Sequence, residues 1–190
     1  MAELVLDIET KNIFADVGKH EPRLLDVSLV GVYDYGTDQF SAFREHELAK
    51  LWPLLEHATR VIGFNINGFD FPVLARYYPG DIAKISTFDI LDVVKDTLGF
   101  RLKLDDLVQC TLQQKKSGHG LMAVEFYKQG KWDDLIRYCL DDVRLTRDLY
   151  EFGKKRGEIY YPNRNGITKM KVNFAPPVAV THALNLTLPL

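Results

Sequence analysis

Four acidic side chains, at three separate places in the sequence, have the type and spacing to act together. Asp7 and Glu9 interrupt the apolar run LVLDIET, and Asp70 follows the apolar run RVIGFN. Asp142 comes four residues after Tyr138, so on a helix both side chains lie on one face, about 6 Å apart along the axis. Each has a structural alternative: a turn cap for the first pair, a helix N-cap for Asp70, and a solvated helix face for the last pair.

The conjunction of the carboxylates favours chemistry over these separate alternatives. Anionic groups crowded together in partly desolvated surroundings repel one another unless cations neutralise them. Mg²⁺ suits such a site because it combines a few carboxylates with water and substrate phosphate. The sequence lacks a Cys/His cluster, which disfavours zinc. The pattern therefore predicts a site for hard divalent ions.

Composition limits the class of protein that carries this site. The 190 residues are 46% hydrophobic, enough for one substantial core, and the net charge of −2 gives no overall basic field. A nucleic-acid partner would therefore need a local basic patch. Two cysteines, no apolar run near 18 residues and no signal-peptide pattern predict a cytoplasmic protein without a membrane partner.

The elements that must position the carboxylates alternate between strands and helices. An apolar run at residues 3–8 predicts a buried strand, and the turn signal DYGTD separates two extended runs. A helix is expected at about 45–57, followed by the strand RVIGFN and the helix DFPVLARYY, with Pro72 in its first turn.

The second half is mostly helical. Predicted helices cover FDILDVVKDTLGF, LKLDDLVQCTL and about residues 131–155, and the composition of QQKKSGHG predicts a loop between the last two. Residues 157–190 are expected to form a small β-hairpin and an irregular tail packed on the main domain, residues 1–156. The pattern predicts a one-domain α/β layered fold with a mixed sheet.

The motifs DIET, NINGFD and YCLDD resemble those of the DEDD superfamily of 3′-to-5′ exonucleases, whose fold is ribonuclease H-like. The tyrosine four residues before the last aspartate is similar to the DEDDy branch, where a histidine-type member would have His in place of Arg137. GFNINGFDFPVL and YCLDDVRL resemble the proofreading domain of family B DNA polymerases, and the set also resembles stand-alone bacterial ribonuclease H-like exonucleases. The resemblance covers about residues 3–152 and implies a mixed five-stranded sheet flanked by helices.

The resemblance implies hydrolysis of a terminal phosphodiester with two Mg²⁺ or Mn²⁺ ions. It implies that Asp7 holds both ions, that Glu9 and Asp142 hold the ion of the attacking water, and that Asp70 serves the other. Tyr138 would position the water. Asp141 competes with Asp142, but it does not share the helix face of Tyr138. Asp89 is a lesser candidate, since it is better placed to cap the helix that starts at Ile90.

Substrate contacts are predicted at three places. Thr10, Ile13 and Phe14 match the position where the superfamily contacts the terminal base, although either of the last two could be core. Asn65 or Asn67 matches the substrate-contacting Asn of the second motif. Further candidates are Lys115, Lys116 and His119 in the predicted loop QQKKSGHG. This basic loop either holds backbone phosphates or is simply solvated.

We therefore expect a metal-dependent 3′-to-5′ exonuclease acting on single-stranded 3′ ends, with DNA favoured and DNA repair as its setting. A polymerase, a helicase or another repair protein is a candidate partner. One alternative is a catalytically silent exonuclease-like module that binds nucleic acid or protein, and the complete set of carboxylates disfavours it. Another is a ribonuclease or structure-specific nuclease on the same scaffold, because a 2′-OH contact leaves no sequence motif.

Overall fold

A computed structural model describes residues 2–115, 118 and 120–175. Its main sheet has the strand order β3-β2-β1-β4-β5. β2 is antiparallel to β1 and β3, whereas β4 is parallel to β1 and β5. This mixed five-stranded sheet confirms the predicted ribonuclease H-like fold class. The strands are β1 (Leu4–Thr10), β2 (Val27–Asp34), β3 (Gln39–Arg44), β4 (Val61–Gly63) and β5 (Thr87–Asp89).

Helices cover both faces of the main sheet, and a separate small sheet of two strands follows the last helix. No helix in the described part of the chain is both long and apolar enough to span a membrane. The helices are α1 (Phe14–Val17), α2 (Leu48–His57), α3 (Asp70–Leu74), α4 (Ile90–Leu98), α5 (Leu104–Leu112), α6 (Gly120–Lys128) and α7 (Trp132–Arg156). The hairpin consists of β6 (Glu158–Asn163) and β7 (Gly166–Lys171).

β1 separates two cores because alternate side chains of a strand point to opposite faces. Leu4, Leu6 and Ile8 join the core that α2 and α3 cover. Val5 lies in the other core, with residues of α4, α5 and α7. Asp7 and Glu9 share the parity of Val5, so the strand directs both carboxylates toward the side of α7.

Most predicted elements are present, with several differences. α1 was not predicted, and the start of the predicted helix FDILDVVKDTLGF belongs to β5, so that α4 begins at Ile90. β1 continues to Thr10 because β2 pairs with it along its whole length, so the carboxylates lie within the strand. α3 is shorter than the predicted DFPVLARYY helix. α6 was not predicted, since its apolar face is narrow: only Ala123 and Val124 are buried in it. Asp89 caps α4 as expected, accepting a 2.9 Å hydrogen bond from the backbone amide of Leu91.

The C-terminal hairpin packs against the main core. Ile159 and Met170 are buried, and the ring of Phe174 occupies the space that a side chain at Gly153 of α7 would need. The Phe174 carbonyl accepts a 2.9 Å hydrogen bond from Arg60. The expected division of the chain after residue 156 stays a prediction, and the tail at 176–190 lies outside the described residues.

Candidate active site

The site begins where β1 and β4 separate. β1 pairs with β2 as far as Thr10, but with β4 only at Leu4 and Val5. Farther along β1, the backbone amide of Ile8 donates a 3.1 Å hydrogen bond to Oδ1 of Asp70, at the start of α3. This bond satisfies a buried strand amide and holds Asp70 beside the segment that carries the other two acids.

A close contact between α7 and the sheet sets the position of the remaining two residues. Gly31 of β2 pairs with Asp7, and a Cβ atom at Gly31 would lie 2.8 Å from Sγ of Cys139 and 3.0 Å from Cγ2 of Val143. Glycine at this position therefore lets α7 approach the strand backbone. The Cys139 thiol lies 3.7 Å from the carbonyl oxygen of Asp7 and donates to it. Its neighbours on α7, Tyr138 and Asp142, are thereby brought over the end of β1.

All five residues predicted to do chemistry line one cleft of about 360 Å³: Asp7, Glu9, Asp70, Tyr138 and Asp142. Glu9, Asp70 and Asp142 are at most 8% exposed, which is unusual for carboxylates. Asp141 instead pairs with Arg144 at 2.7 Å and lines a neighbouring cleft. The structure thus places Asp142 rather than Asp141 with the other acids.

The electrostatics of the cleft reflect concentrated negative charge. Burial raises the pKa of Asp70 well above its ordinary value, and the nearby charge of Asp7 raises it further. Burial likewise raises the pKa of the Tyr138 hydroxyl, and the charge of Asp142 is the next cause. A bound cation would lower both pKa values. It favours the charged form of Asp70 and offsets part of the desolvation cost, and it neutralises the charge of Asp142 that acts on Tyr138.

The donor set fits a hard divalent ion. One oxygen of Asp7, one oxygen of Glu9 and Sγ of Cys139 lie within 4.8 Å of one another. Burial raises the pKa of Cys139 well above its ordinary value, so the thiol stays neutral and is a poor ligand. Carboxylate oxygens are the donors that Mg²⁺ and Mn²⁺ prefer. The cleft therefore holds an acidic cluster suited to divalent metal binding.

Several of the predicted substrate contacts line the same cleft: Thr10, Ile13, Phe14 and Asn65. The Thr10 hydroxyl donates a 2.8 Å hydrogen bond to the Asn12 carbonyl, which fixes the turn after β1. The ring of Phe14 stacks on His20 with centroids 3.9 Å apart. Sequence reasoning missed His20, and no sequence signal marks a stacking partner six residues away.

The loop before α3 is held by Asp89, which the sequence suggested as a helix cap and as a lesser candidate for the acidic site. The carboxylate of Asp89 accepts hydrogen bonds from the backbone amides of Asn65 (2.8 Å) and Asn67 (3.1 Å). Asn65 adopts a left-handed conformation, with φ 65°, and its side-chain oxygen accepts a 2.8 Å bond from Arg101. The Asn67 side chain instead bonds to Asp92 and Thr87, outside the lining of the cleft.

Of the three residues predicted to contact substrate from the basic loop, the structure describes Lys115. Lys115 is exposed between α5 and α6, and it is not among the residues that line the acidic cleft. Lys116 and His119 lie outside the described residues. The unpredicted helix α6 does reach the site, since Gly120, Leu121 and Val124 line the cleft.

Comparison with known families agrees with this architecture. The profile of the RNase_H superfamily matches residues 4–152, which include all four carboxylates and Tyr138. The chain belongs to the RNase_H superfamily. A search of curated proteins finds no match.

Solved structures with the same fold include two classes of enzyme. The family B DNA polymerase of the archaeon Pyrobaculum calidifontis is 19% identical with a TM-score of 0.61, over 80% of this chain and 24% of that one. Trypanosoma brucei RNase D is 15% identical with a TM-score of 0.59, over 79% of this chain and 56% of that one. The same RNase D in a GMP complex is 16% identical, with a TM-score of 0.58, over 79% and 50%. This chain thus matches only part of each relative, and at these identities the likeness concerns the fold.

Proposed function

We propose that the protein is a metal-dependent 3′-to-5′ exonuclease that hydrolyses terminal phosphodiesters of single-stranded nucleic acid, with DNA favoured. The observation that carries the proposal is the convergence of Asp7, Glu9, Asp70, Asp142 and Tyr138 on one cleft, in a chain of the RNase_H superfamily. The order of these residues in the chain also resembles the DEDDy branch of exonucleases.

In this proposal the four carboxylates hold two Mg²⁺ or Mn²⁺ ions. Such ions, when bound, supply positive charge for the attacking and leaving oxygens of an in-line displacement. The buried Tyr138 hydroxyl donates a hydrogen bond that orients the attacking water, because its raised pKa keeps it protonated. Phe14 and Ile13 contact the terminal base, and Asn65 contacts the substrate strand.

RNA is the second candidate substrate. The structural likeness to RNase D is nearly as strong as that to the polymerase, with TM-scores of 0.59 and 0.61. The silent-module alternative has less support, because a binding module has no need for the buried acids of the cleft, whose desolvation is costly. Association with a polymerase, a helicase or another repair protein in the cytoplasm stays a prediction.

The test is a cleavage assay with single-stranded DNA and RNA of the same sequence, labelled at the 5′ end or at the 3′ end. We expect 5′-labelled strands to shorten stepwise in Mg²⁺ or Mn²⁺ and 3′-labelled strands to release the labelled nucleotide first. Neither should react in EDTA. Asp142→Asn is the inactive control, and Asp96→Asn on the exposed side of α4 is its matched control.

Each outcome of this assay has a distinct meaning. Internal products from either labelled strand, and cleavage of a circular strand added as a substrate without ends, would replace the exonuclease proposal with an endonuclease. Cleavage of RNA alone would change the substrate class. No cleavage of either strand in any divalent ion, with intact binding, would favour the silent module.

A further inference from the structure

Positive charge is concentrated at the C-terminal end of the described chain. Residues 153–175 contain six Lys or Arg and one Glu, a net charge of +5. The whole chain carries −2 and residues 176–190 contain no charged side chain, so residues 1–152 carry −7. The β6–β7 hairpin and the end of α7 therefore form a basic region on an otherwise acidic protein, outside the residues that match the superfamily.

The hairpin register places part of this charge on one face. Glu158 pairs with Lys171, and Tyr160 pairs with Lys169. Because alternate residues share a face, Tyr160, Lys169 and Lys171 lie together, and Ile167 belongs to the same set. Ile159 and Met170 point the other way and are buried. The outward face therefore combines two lysines with a tyrosine and with Ile167, which is 66% exposed.

The cations of this region are available to a ligand. Arg164 in the hairpin turn and Lys171 are exposed, and neither forms an ion pair with a carboxylate among the described residues. Lys169 pairs with Glu158 at 3.2 Å, but its side chain is 64% exposed. Surface ion pairs of this kind exchange readily with other anions, since they contribute little free energy.

The hairpin is held against the main domain by hydrogen bonds and by buried side chains. The Thr111 hydroxyl of α5 donates to the Tyr160 carbonyl at 3.0 Å and accepts from the Tyr160 amide at 2.9 Å. Phe174, just after β7, is buried and bonded through its carbonyl to Arg60. A ligand on the outward face would thus meet a backbone that is already held in place, so that binding orders side chains and not the hairpin itself.

The hairpin and the acidic cleft are joined by α7. Asp142 of the cleft and Arg156 at the helix end are fourteen residues apart, a distance of about 21 Å at 1.5 Å per residue. A nucleic-acid strand with a rise of about 3.4 Å per nucleotide covers this distance in roughly six nucleotides. A 3′ end in the cleft and upstream phosphates at the hairpin are therefore compatible with one strand.

We propose that the outward face of the β6–β7 hairpin binds the phosphate backbone of the nucleic-acid substrate several nucleotides upstream of its 3′ end. The inference rests on the proposed function for the position of the 3′ end. Lys169, Lys171 and Arg164 contact phosphates, and Tyr160 and Ile167 offer apolar surface to the bases. The local basic patch that a chain of net charge −2 requires for nucleic-acid binding is then this hairpin.

The test measures binding in EDTA, where cleavage does not interfere. Fluorescence anisotropy gives the affinity for labelled single strands of about 20 and about 3 nucleotides over about 50 to 200 mM salt. The variant is Arg164→Gln with Lys171→Gln. The matched control is Lys50→Gln with Lys84→Gln, which removes the same charge from exposed sites outside the hairpin. Arg164→Lys with Lys171→Arg keeps the charge, and melting curves verify folding.

We expect the hairpin variant to bind the long strand more weakly and to lower the slope of log affinity against log salt by about 1.4 units, roughly 0.7 per lost contact. The control and the charge-keeping variant should retain the wild-type slope. Binding of the short strand should change much less, because a short strand whose 3′ end lies in the cleft cannot reach the hairpin.

Two results would overturn the inference. The first is equal slopes for the hairpin variant and the control, which would assign the basic face to another class of partner, for instance an acidic protein surface. The second is that the hairpin variant loses as much affinity for the short strand as for the long strand. Cleavage by wild-type protein, assayed separately in Mg²⁺, tests the proposed function. The hairpin inference and the proposed function can therefore fail independently.

Discussion

The Asp70 carboxylate accepts a 3.1 Å hydrogen bond from the backbone amide of Ile8, the residue between Asp7 and Glu9. One bond thereby joins the second acidic motif to the first across 62 positions of sequence. It also places a buried carboxylate next to the charge of Asp7, which makes the metal-free site electrostatically unfavourable. Stability of the metal-free protein should therefore depend on pH through this residue.

Asp70→Asn should remove that dependence. Burial and the charge of Asp7 raise the pKa of Asp70 above its ordinary value of 3.8. Between that value and the raised pKa, the folded state keeps a proton that the unfolded state releases, so the free energy of unfolding falls as pH rises. Urea unfolding in EDTA over this range should show the fall in wild type and a flatter curve in Asp70→Asn.

Asp70→Ala separates the charge from the hydrogen bond. Asn can keep the oxygen that accepts from Ile8, whereas Ala leaves the buried amide without that acceptor, at a cost of about 1–3 kcal/mol. The alanine variant should thus be less stable than Asp70→Asn at every pH. Parallel pH curves for wild type and Asp70→Asn would contradict the electrostatic account.

Divalent ions should stabilise the folded protein. A ligand that binds only the native state adds about 2.7 kcal/mol at 100 times its dissociation constant. Millimolar-range Mn²⁺ should therefore raise the melting temperature of wild type and of Asp96→Asn, and it should have little effect on Asp7→Asn. A wild-type melting curve that Mn²⁺ leaves unchanged would show that the free protein holds no strong metal site.

Much of the site could be predicted because its chemistry requires particular residue types at short spacings. The i,i+2 pair Asp7 and Glu9 and the i,i+4 pair Tyr138 and Asp142 follow from strand and helix geometry. The cap at Asp89 was likewise predictable, since Asp is a common N-cap.

The remaining features depend on contacts between distant segments. The hydrogen bonds from the amides of Asn65 and Asn67 to Asp89 cross 24 and 22 positions, and no local pattern indicates them. α6 was missed because it follows a loop-like run and buries few side chains. β5 has only three residues, too few for a periodic pattern, although the superfamily resemblance implied a fifth strand.

Gly31→Ala should destabilise the protein and lower its activity together. The new methyl group would meet Cys139 and Val143, both fully buried, and overpacking of this kind typically costs about 1–3 kcal/mol. Displacement of α7 would also move Asp142 and Tyr138 away from β1. Chemical denaturation and cleavage rates measure the two effects.

A double-mutant cycle tests this explanation. Cys139→Ala removes the closest atom, so Gly31→Ala should cost less in that background, by about 1 kcal/mol or more. Additive effects of the two substitutions would show that the Gly31 contact does not set the position of α7.

Phe14→Ala should weaken recognition of the terminal base. Phe14 lines the cleft, and base–aromatic stacking is worth about 1–3 kcal/mol per base, so kcat/KM should fall about 5- to 150-fold. Phe14→Tyr keeps the ring and should retain most activity. If Phe14→Ala cleaves as wild type does while its stability drops, the ring is a packing residue for His20 and Phe69.

Tyr138→Phe should slow the chemical step without disturbing the metal ligands. Tyr138 is 4% exposed, and burial, followed by the charge of Asp142, raises the pKa of its hydroxyl, so the group acts as a hydrogen-bond donor rather than a base. Phe keeps the ring in the helix and removes only the donor. Removing one positioning donor typically costs about 10²- to 10³-fold in rate.

Asp142→Asn provides the contrast, because it removes a proposed metal ligand. Single-turnover cleavage and metal titration, measured side by side, should show slow cleavage with normal metal affinity for Tyr138→Phe, and loss of both for Asp142→Asn. Cleavage by Tyr138→Phe at the wild-type rate would make Tyr138 a core aromatic residue of α7. The resemblance to the tyrosine branch would then lack a chemical basis, since Arg137 at the corresponding histidine position is exposed and paired with Asp134.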